Sequence, residues 1–205
     1  MRAPKTDTEE RKSQIARAVL EHIASHGLKG LSMAAIAHRI GVVPSALYRH
    51  FRGKEDMLRA VFDQVGANLE RNLDQVCAEH ADPLERLHAL ISLNARLVRE
   101  FHAIPRVMFA EGAYSESAQR KVRVYEVIRQ YLARVNAIVQ EGQAAGRIRP
   151  DLDSQTVATF FWGLLPPATV LWYVSEGRFD VTRHVERSWE LFLDAVAVRP
   201  ADSRT

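Results

Sequence analysis

An all-α fold of about nine helices is predicted by three features of the sequence. Apolar residues recur at helical spacing through most of the chain. Serine or aspartate stands ahead of several of these runs and glycine closes them, as helix caps do. No alternating apolar and polar run bounded by turn residues reads as a strand. The 205 residues suffice for one large domain or two smaller ones sharing a core, and 47% hydrophobic with 26% charged residues is the composition of a soluble globular chain.

The helices follow in order. The stretch DTEERKSQIARAVLEHIASHG opens with Asp7 or Thr8 as N-cap, Asp7 having Glu10 three places on as a capping box. Ile15, Val19 and Ile23, with Ala16 and Leu20 alongside, form one apolar stripe that Gly27 ends. Ser32 caps a short second helix with Met33, Ile36, Ala37 and Ile40 inward, closed by Gly41. Pro44 then opens a third helix, Pro44 to Phe51, with Leu47 and Phe51 inward at i, i+4. A long fourth helix runs from Gly53 and Lys54 to about Glu79.

Asp82, Pro83 and Glu85 start the next helix with a cap, a first-turn proline and a capping box. Pro105 stops it or begins the following one, PRVMFAEGAYS, and a long helix continues from about Ser115 to Ala145, where Gly146 ends it. Asp153 caps SQTVATFFWGLLPPATVLWYV, which Pro166-Pro167 should kink or break. Asp180 caps the last helix, and a polar tail over 199–205 is expected to be disordered.

Phe160, Phe161, Trp162, Leu164, Leu165, Val170, Leu171 and Trp172 surround their helix axis instead of marking one stripe. A helix that is apolar all round must be covered on more than one side. A homodimer is expected from these last two helices, through Phe161, Leu165, Val185, Trp189, Phe192 and Val196.

Charge is distributed unevenly. Residues 1–55 carry ten Lys and Arg against five Asp and Glu, and the remaining 150 carry eighteen against twenty. A basic N-terminal segment suits a polyanionic partner. Within it, two short helices joined by a tight glycine turn and buttressed by a longer helix make a helix-turn-helix unit. With Leu47 and Phe51 inward, Ser45, Tyr48, Arg49 and partly His50 are left outside. Each can donate to phosphate or a base edge, and no carboxylate stands among them.

The segment Gly27, Gly30, Ser32, Met33, Ile36, Ala37, Gly41, Val42, Leu47, Tyr48, His50, Phe51, Lys54, Glu55 and, just beyond, Leu58 resembles the helix-turn-helix pattern of the TetR/AcrR family of bacterial transcriptional regulators. The likeness is specific over residues 13–57; further on it rests on helix count and length. It implies a DNA-binding domain over 1–56, a ligand-binding and dimerisation domain over 57–198, and a ligand-responsive regulator, in most cases a repressor, bound as a homodimer to a palindromic operator.

Carried over by position, Tyr48 and Lys54 would bind phosphate, Lys54 together with the start of the fourth helix. His50 would bind phosphate or pack, Ser32 could reach a phosphate, and Pro44, Ser45, Ala46 and Arg49 would reach base edges, with Met33 beside them. Val43 stands where the family often has a capping Ser or Thr. The resemblance also implies an effector site, a small apolar or aromatic molecule being expected, with Phe101, His102, Met108, Phe109, Glu111, Tyr114, Tyr125, Trp162 and Trp172 as candidate lining.

A helix-turn-helix protein acting mainly through protein–protein contacts is a second reading, and a helical-bundle enzyme a third. The histidines are scattered, and no HExxH, phosphate loop or serine elbow appears. His22 and His26 have a metal-compatible spacing, but no adjacent carboxylate completes a site. Cys77 is the single cysteine, so an internal disulfide and a cysteine-based zinc site are excluded. No enzyme activity, metal or cofactor is therefore expected. No uninterrupted apolar run reaches the roughly 18 residues of a membrane span, and the polar N-terminus lacks a signal-peptide core. A cytoplasmic location without membrane association is expected.

Overall fold

The computed structural model describes residues 5–28, 30–100 and 118–198. Among them run nine helices and no strand: α1 (Lys5–His26), α2 (Met33–Arg39), α3 (Pro44–Leu47), α4 (Lys54–Glu79), α5 (Pro83–Glu100), α6 (Ala118–Ala144), α7 (Ser154–Gly163), α8 (Pro166–Val174) and α9 (Val181–Val196). The chain divides into two compact units, Met1–Asn68 with Glu100–Val127 and Leu69–Arg99 with Ile128–Thr205. The boundaries fall inside α4 and α6 and not at the expected 56/57 junction. The reason is packing, because Met57, Leu58, Val61 and Phe62 of α4 belong to the first unit's core.

In the first unit, α1 begins at Lys5, so Asp7 and Thr8 lie inside its first turns and neither is the N-cap. Ile15, Val19, Leu20 and Ile23 form its buried stripe, and Gly27 ends it at φ +72°. Ser32 caps α2, its Oγ accepting from Ala35 N at 3.1 Å. Gly41, at φ +70°, closes α2: its N–H donates to His38 O at 3.2 Å and Val42 N–H to Ala37 O at 2.9 Å. That pair is a Schellman motif, whose left-handed position favours glycine.

The third helix is shorter than expected. After one turn, His50 and Phe51 N–H both donate to Leu47 O, at 2.9 and 3.0 Å, and the chain tightens out of the helix before Gly53. Phe51 still reaches the core together with Leu47.

The second unit centres on Leu87, Leu90, Ile91, Val135, Val139, Phe161, Val185 and Phe192. Asp82 caps α5 through Leu84 N at 2.8 Å and Glu85 N at 3.2 Å. Glu85 turns to His80, 3.8 Å from its Nδ1. Gly142 lets the following turn fold back, since a Cβ there would lie 2.6 Å from Ile148 Cδ1. An isolated antiparallel bridge, Ile148 with Ala197, ties that turn to the end of α9. Asp153 and Asp180 cap α7 and α9 as expected, through Thr156 N at 2.7 Å and Arg183 N at 3.0 Å. Pro166-Pro167 opens a separate helix, α8, so the apolar segment is broken and not merely bent.

The stretch Ser154–Val174 is long and apolar enough to cross a membrane by length and composition alone. Its inner residues Val157, Ala158, Phe161 and Ala168 nevertheless lie in the second unit's core. The expected helix at PRVMFAEGAYS, the start of α6 at 115–117 and the tail at 199–205 lie outside the described residues.

The turn after α8 holds Glu176 at φ +54°, the single non-glycine with positive φ among the described residues. Glu176 N–H donates to Tyr173 O at 3.2 Å and Gly177 N–H to Trp172 O at 2.8 Å, another Schellman closure. A left-handed residue with a Cβ costs about 1–2 kcal/mol, and glycine loses somewhat less in chain entropy. Glu176→Gly should therefore stabilise the fold by about 0.5 kcal/mol, raising the urea midpoint without changing the m-value. A lowered midpoint would show that the glutamate side chain outweighs its backbone strain.

Candidate nucleic-acid interface

The outward surface of the first unit is set by two residues. Leu47 and Phe51 are 1% and 3% exposed, packed with Ile36, Ala37 and Leu58 in one cluster. With these fixed inward, Pro44, Ser45 and Arg49 are exposed, Ala46 and His50 half-buried, and Tyr48 57% exposed. Among the described residues, the Arg49 guanidinium and the Tyr48 hydroxyl have no recorded side-chain or carbonyl partner. α3 starts without a side-chain cap, because Val43 has no oxygen to offer and lies exposed. Pro44 at the first position sets φ in advance.

Met33 departs from its assignment. Its side chain is buried in the α1–α4 core, so only its backbone N–H at the start of α2 could face a ligand. Ser32 is exposed; its Oγ accepts from Ala35 N, and its hydroxyl hydrogen is left to donate outward.

Lys54 has a partner that the sequence did not announce. Its Nζ donates to Leu28 O at 2.9 Å, tying the turn after α1 to the start of α4. Two ammonium hydrogens remain. Asp56 lies on the same turn, where its Oδ2 accepts from Arg52 N at 3.0 Å and its Oδ1 pairs with Arg59 at 2.9 Å. Arg39, on the last turn of α2, is paired with Glu21 of α1 at 3.2 Å. A backbone carbonyl has no side-chain signature, so the Lys54 contact was not legible in the sequence.

His22 and His26 lie side by side on α1. Their rings stack with centroids 4.6 Å apart, and His22 Nε2 faces Gly30 O at 3.1 Å. Among the described residues, no group of three metal-ligating side chains converges.

Of the candidate effector residues, Phe101, His102, Met108, Phe109, Glu111 and Tyr114 lie outside the described residues. Tyr125 is 67% exposed on α6 and lines no core in the first unit. Trp162 and Trp172 are half-buried against the core of the second unit.

The expected dimer residues are corrected. Phe161, Val185, Trp189, Phe192 and Val196 are buried within the protomer's own second unit, and Leu165 packs partly against the same cluster. Trp189 stacks on His88 at 4.9 Å and Phe192 at 5.4 Å, so a substitution there tests the core. The apolar groups left outside are Phe160, Leu171, Tyr173 and Val174 on α7 and α8, and Leu191 on α9. An all-round apolar pattern showed that two faces needed cover, but not which face the chain covers itself.

Two family models match the chain. The model described as bacterial regulatory proteins, tetR family, matches residues 15–61, and the model described as tetracyclin repressor-like, C-terminal domain, matches residues 80–196. The chain is 26% identical over 184 residues to the fatty acid metabolism regulator protein of Bacillus subtilis, covering 89% of this chain and 94% of that one. It is 28% identical over 195 residues to the HTH-type transcriptional repressor KstR2 of Mycolicibacterium smegmatis, covering 85% and 86%. The solved structure of FadR from Bacillus subtilis in complex with stearoyl-CoA superposes with a TM-score of 0.77 at 25% identity, covering 88% and 96%. With the helix-turn-helix geometry and a match over more than half its length, the chain belongs to the tetR family of bacterial regulatory proteins and is a DNA-binding transcriptional regulator.

Proposed function

We propose that this regulator is a repressor that holds a palindromic operator as a homodimer and is released by a small apolar effector. The observation that carries the DNA half is the outward face of α3 and of the turn that follows it. Ser45, Tyr48 and Arg49 stand exposed there without a carboxylate, over two fully buried anchors. In the division of roles, Tyr48, His50, Ser32 and Lys54 hold phosphates and set register. Arg49 and Ser45 read base edges, with Pro44 and Ala46 against thymine methyls. Two symmetric heads would read half-sites about one helical turn apart, roughly 34–36 Å.

The dimer is supported by the second apolar face of the last three helices. Thr156, Phe160, Gly163, Pro167, Leu171 and Val174 recur at spacings of three or four along α7 and α8, and Leu191 stands on α9. Phe160 is 48% and Leu191 71% exposed. A second copy meeting this face by two-fold symmetry would bury the same stripes on both sides. The effector class is supported by the relatives, one named for fatty acid metabolism and one solved with stearoyl-CoA, and by the apolar core of the second unit.

Lys54→Ala should weaken binding to every DNA sequence and reduce the slope of log K against log salt by about 0.9, the value of one phosphate contact. An unchanged slope, read by fluorescence anisotropy from 50 to 300 mM salt, would remove Lys54 from the phosphate set. Arg49→Ala should relax preference at one position of each half-site, at about 1–3 kcal/mol. A selection experiment that returns the wild-type base preference would move readout to another residue. Leu191→Glu should yield folded monomers, with unchanged far-UV circular dichroism and half the mass by light scattering. A persistent dimer would place the interface elsewhere.

A further inference from the structure

The core of the second unit holds a line of three polar side chains. Asn72 of α4 donates through Nδ2 to Asn94 Oδ1 at 2.8 Å, and Asn94 of α5 donates through Nδ2 to the Tyr131 hydroxyl oxygen of α6 at 2.9 Å. Asn94 and Tyr131 are each 3% exposed, and Asn72 is half-buried. All the hydrogens run in one direction, from the half-buried end inward. The line therefore ends on Tyr131 as an acceptor, and its own hydroxyl hydrogen is left over. Among the described residues no recorded oxygen or nitrogen accepts it.

A buried hydroxyl without an acceptor is unfavourable, because water paired that hydrogen in the unfolded chain. Burial also pushes the Tyr131 phenol well above its ordinary range, so it remains neutral and keeps the hydrogen. Turning both the Asn94 and the Asn72 amides over would reverse the line: Tyr131 would donate to Asn94 Oδ1, and Asn94 Nδ2 to Asn72 Oδ1. The relay thus has two polarities. An acceptor placed beside Tyr131 favours the one in which its hydrogen points away from Asn94.

We infer that the Tyr131 hydroxyl is the polar anchor of the effector, donating to a neutral carbonyl carried by the apolar portion of the molecule that enters the core. The inference rests on the reading that a small apolar effector enters the second unit. The charge state follows from the surroundings. Tyr131 belongs to one cluster with Leu90, Ile91, Val135 and Ile138, and the only buried polar or charged residues among those described are His22, Asn68, Asn94 and Thr169. None of the four is a lysine or arginine, so a carboxylate or phosphate buried there would lack a counter-charge. A thioester, ester, amide or ketone carbonyl takes the hydrogen bond without bringing a charge.

The full-length protein should be titrated with stearoyl-CoA (below its micelle concentration), with progesterone as a ketone, and with stearate as a carboxylate. Calorimetry gives affinity, and anisotropy of a labelled operator gives release. At least one carbonyl probe should bind and release DNA, with stearate binding more weakly than stearoyl-CoA. Tyr131→Phe should lower affinity for the active probe about tenfold. Wild-type protein should show a tyrosine red shift near 280–290 nm on binding, as a phenol that becomes a hydrogen-bond donor does; Tyr131→Phe should lack it. A purely structural Tyr131 would change only the melting temperature of the free protein.

Equal affinity of wild type and Tyr131→Phe overturns the anchor and leaves the ligand-responsive repressor standing. Stearate binding as tightly as stearoyl-CoA overturns the neutral-carbonyl class. Wild-type protein that responds to none of the three overturns the effector reading, and the anchor with it.

Discussion

The insertion of Leu47 and Phe51 into the core of the first unit governs the DNA-reading surface. A single helical turn cannot hold itself together, because nucleation fixes several dihedrals for very few hydrogen bonds. α3 also lacks a capping side chain. Its conformation therefore comes from tertiary packing: each of the two side chains, nearly inaccessible to water, contributes about 1.5–3 kcal/mol by burial. Being four residues apart, they also fix the rotation of the turn. That rotation turns Tyr48 and Arg49 outward. The reading surface is thus a consequence of two apolar contacts behind it.

What the sequence revealed follows from the range of each interaction. Caps at Ser32, Asp82, Asp153 and Asp180 were legible because each joins a side-chain oxygen to an amide two or three residues on. The start of α1 was not, since acidic residues near a helix N-terminus suit either the cap or the first turn. The end of α3 was misplaced for a related reason. Phe51 keeps its i, i+4 relation to Leu47 whether the backbone between them is a helix or two tightened turns.

The dimer assignment erred on a longer range. Val185, Trp189, Phe192 and Val196 form the strongest stripe on α9, and the strongest stripe went to the protomer's own core. A core closes first in one chain, where the groups are tethered. Leu191 and Phe160, weaker signals by periodicity, are among the apolar groups that this core leaves exposed. The polar line from Asn72 to Tyr131 shows the same limit. Three residues on three helices meet only when those helices pack, and no local pattern joins positions 22 and 37 residues apart.

Lys54 and Arg39 illustrate why a cation's partner matters as much as its position. Both lie on the head and both are tied to α1 or the turn after it. Arg39 is held by a carboxylate, Glu21, so a phosphate arriving there must displace an existing charge partner. Lys54 is held by a carbonyl, which orders the side chain without cancelling its charge. Ordering a lysine side chain costs up to about 2 kcal/mol of rotamer entropy, and the Leu28 contact has already met part of it before DNA arrives. The full positive charge remains for counterion release, which counts charges neutralised and not hydrogen bonds made. Of the two, Lys54 keeps its charge uncompensated by its carbonyl contact, and Arg39 uses its own to hold α2 against α1.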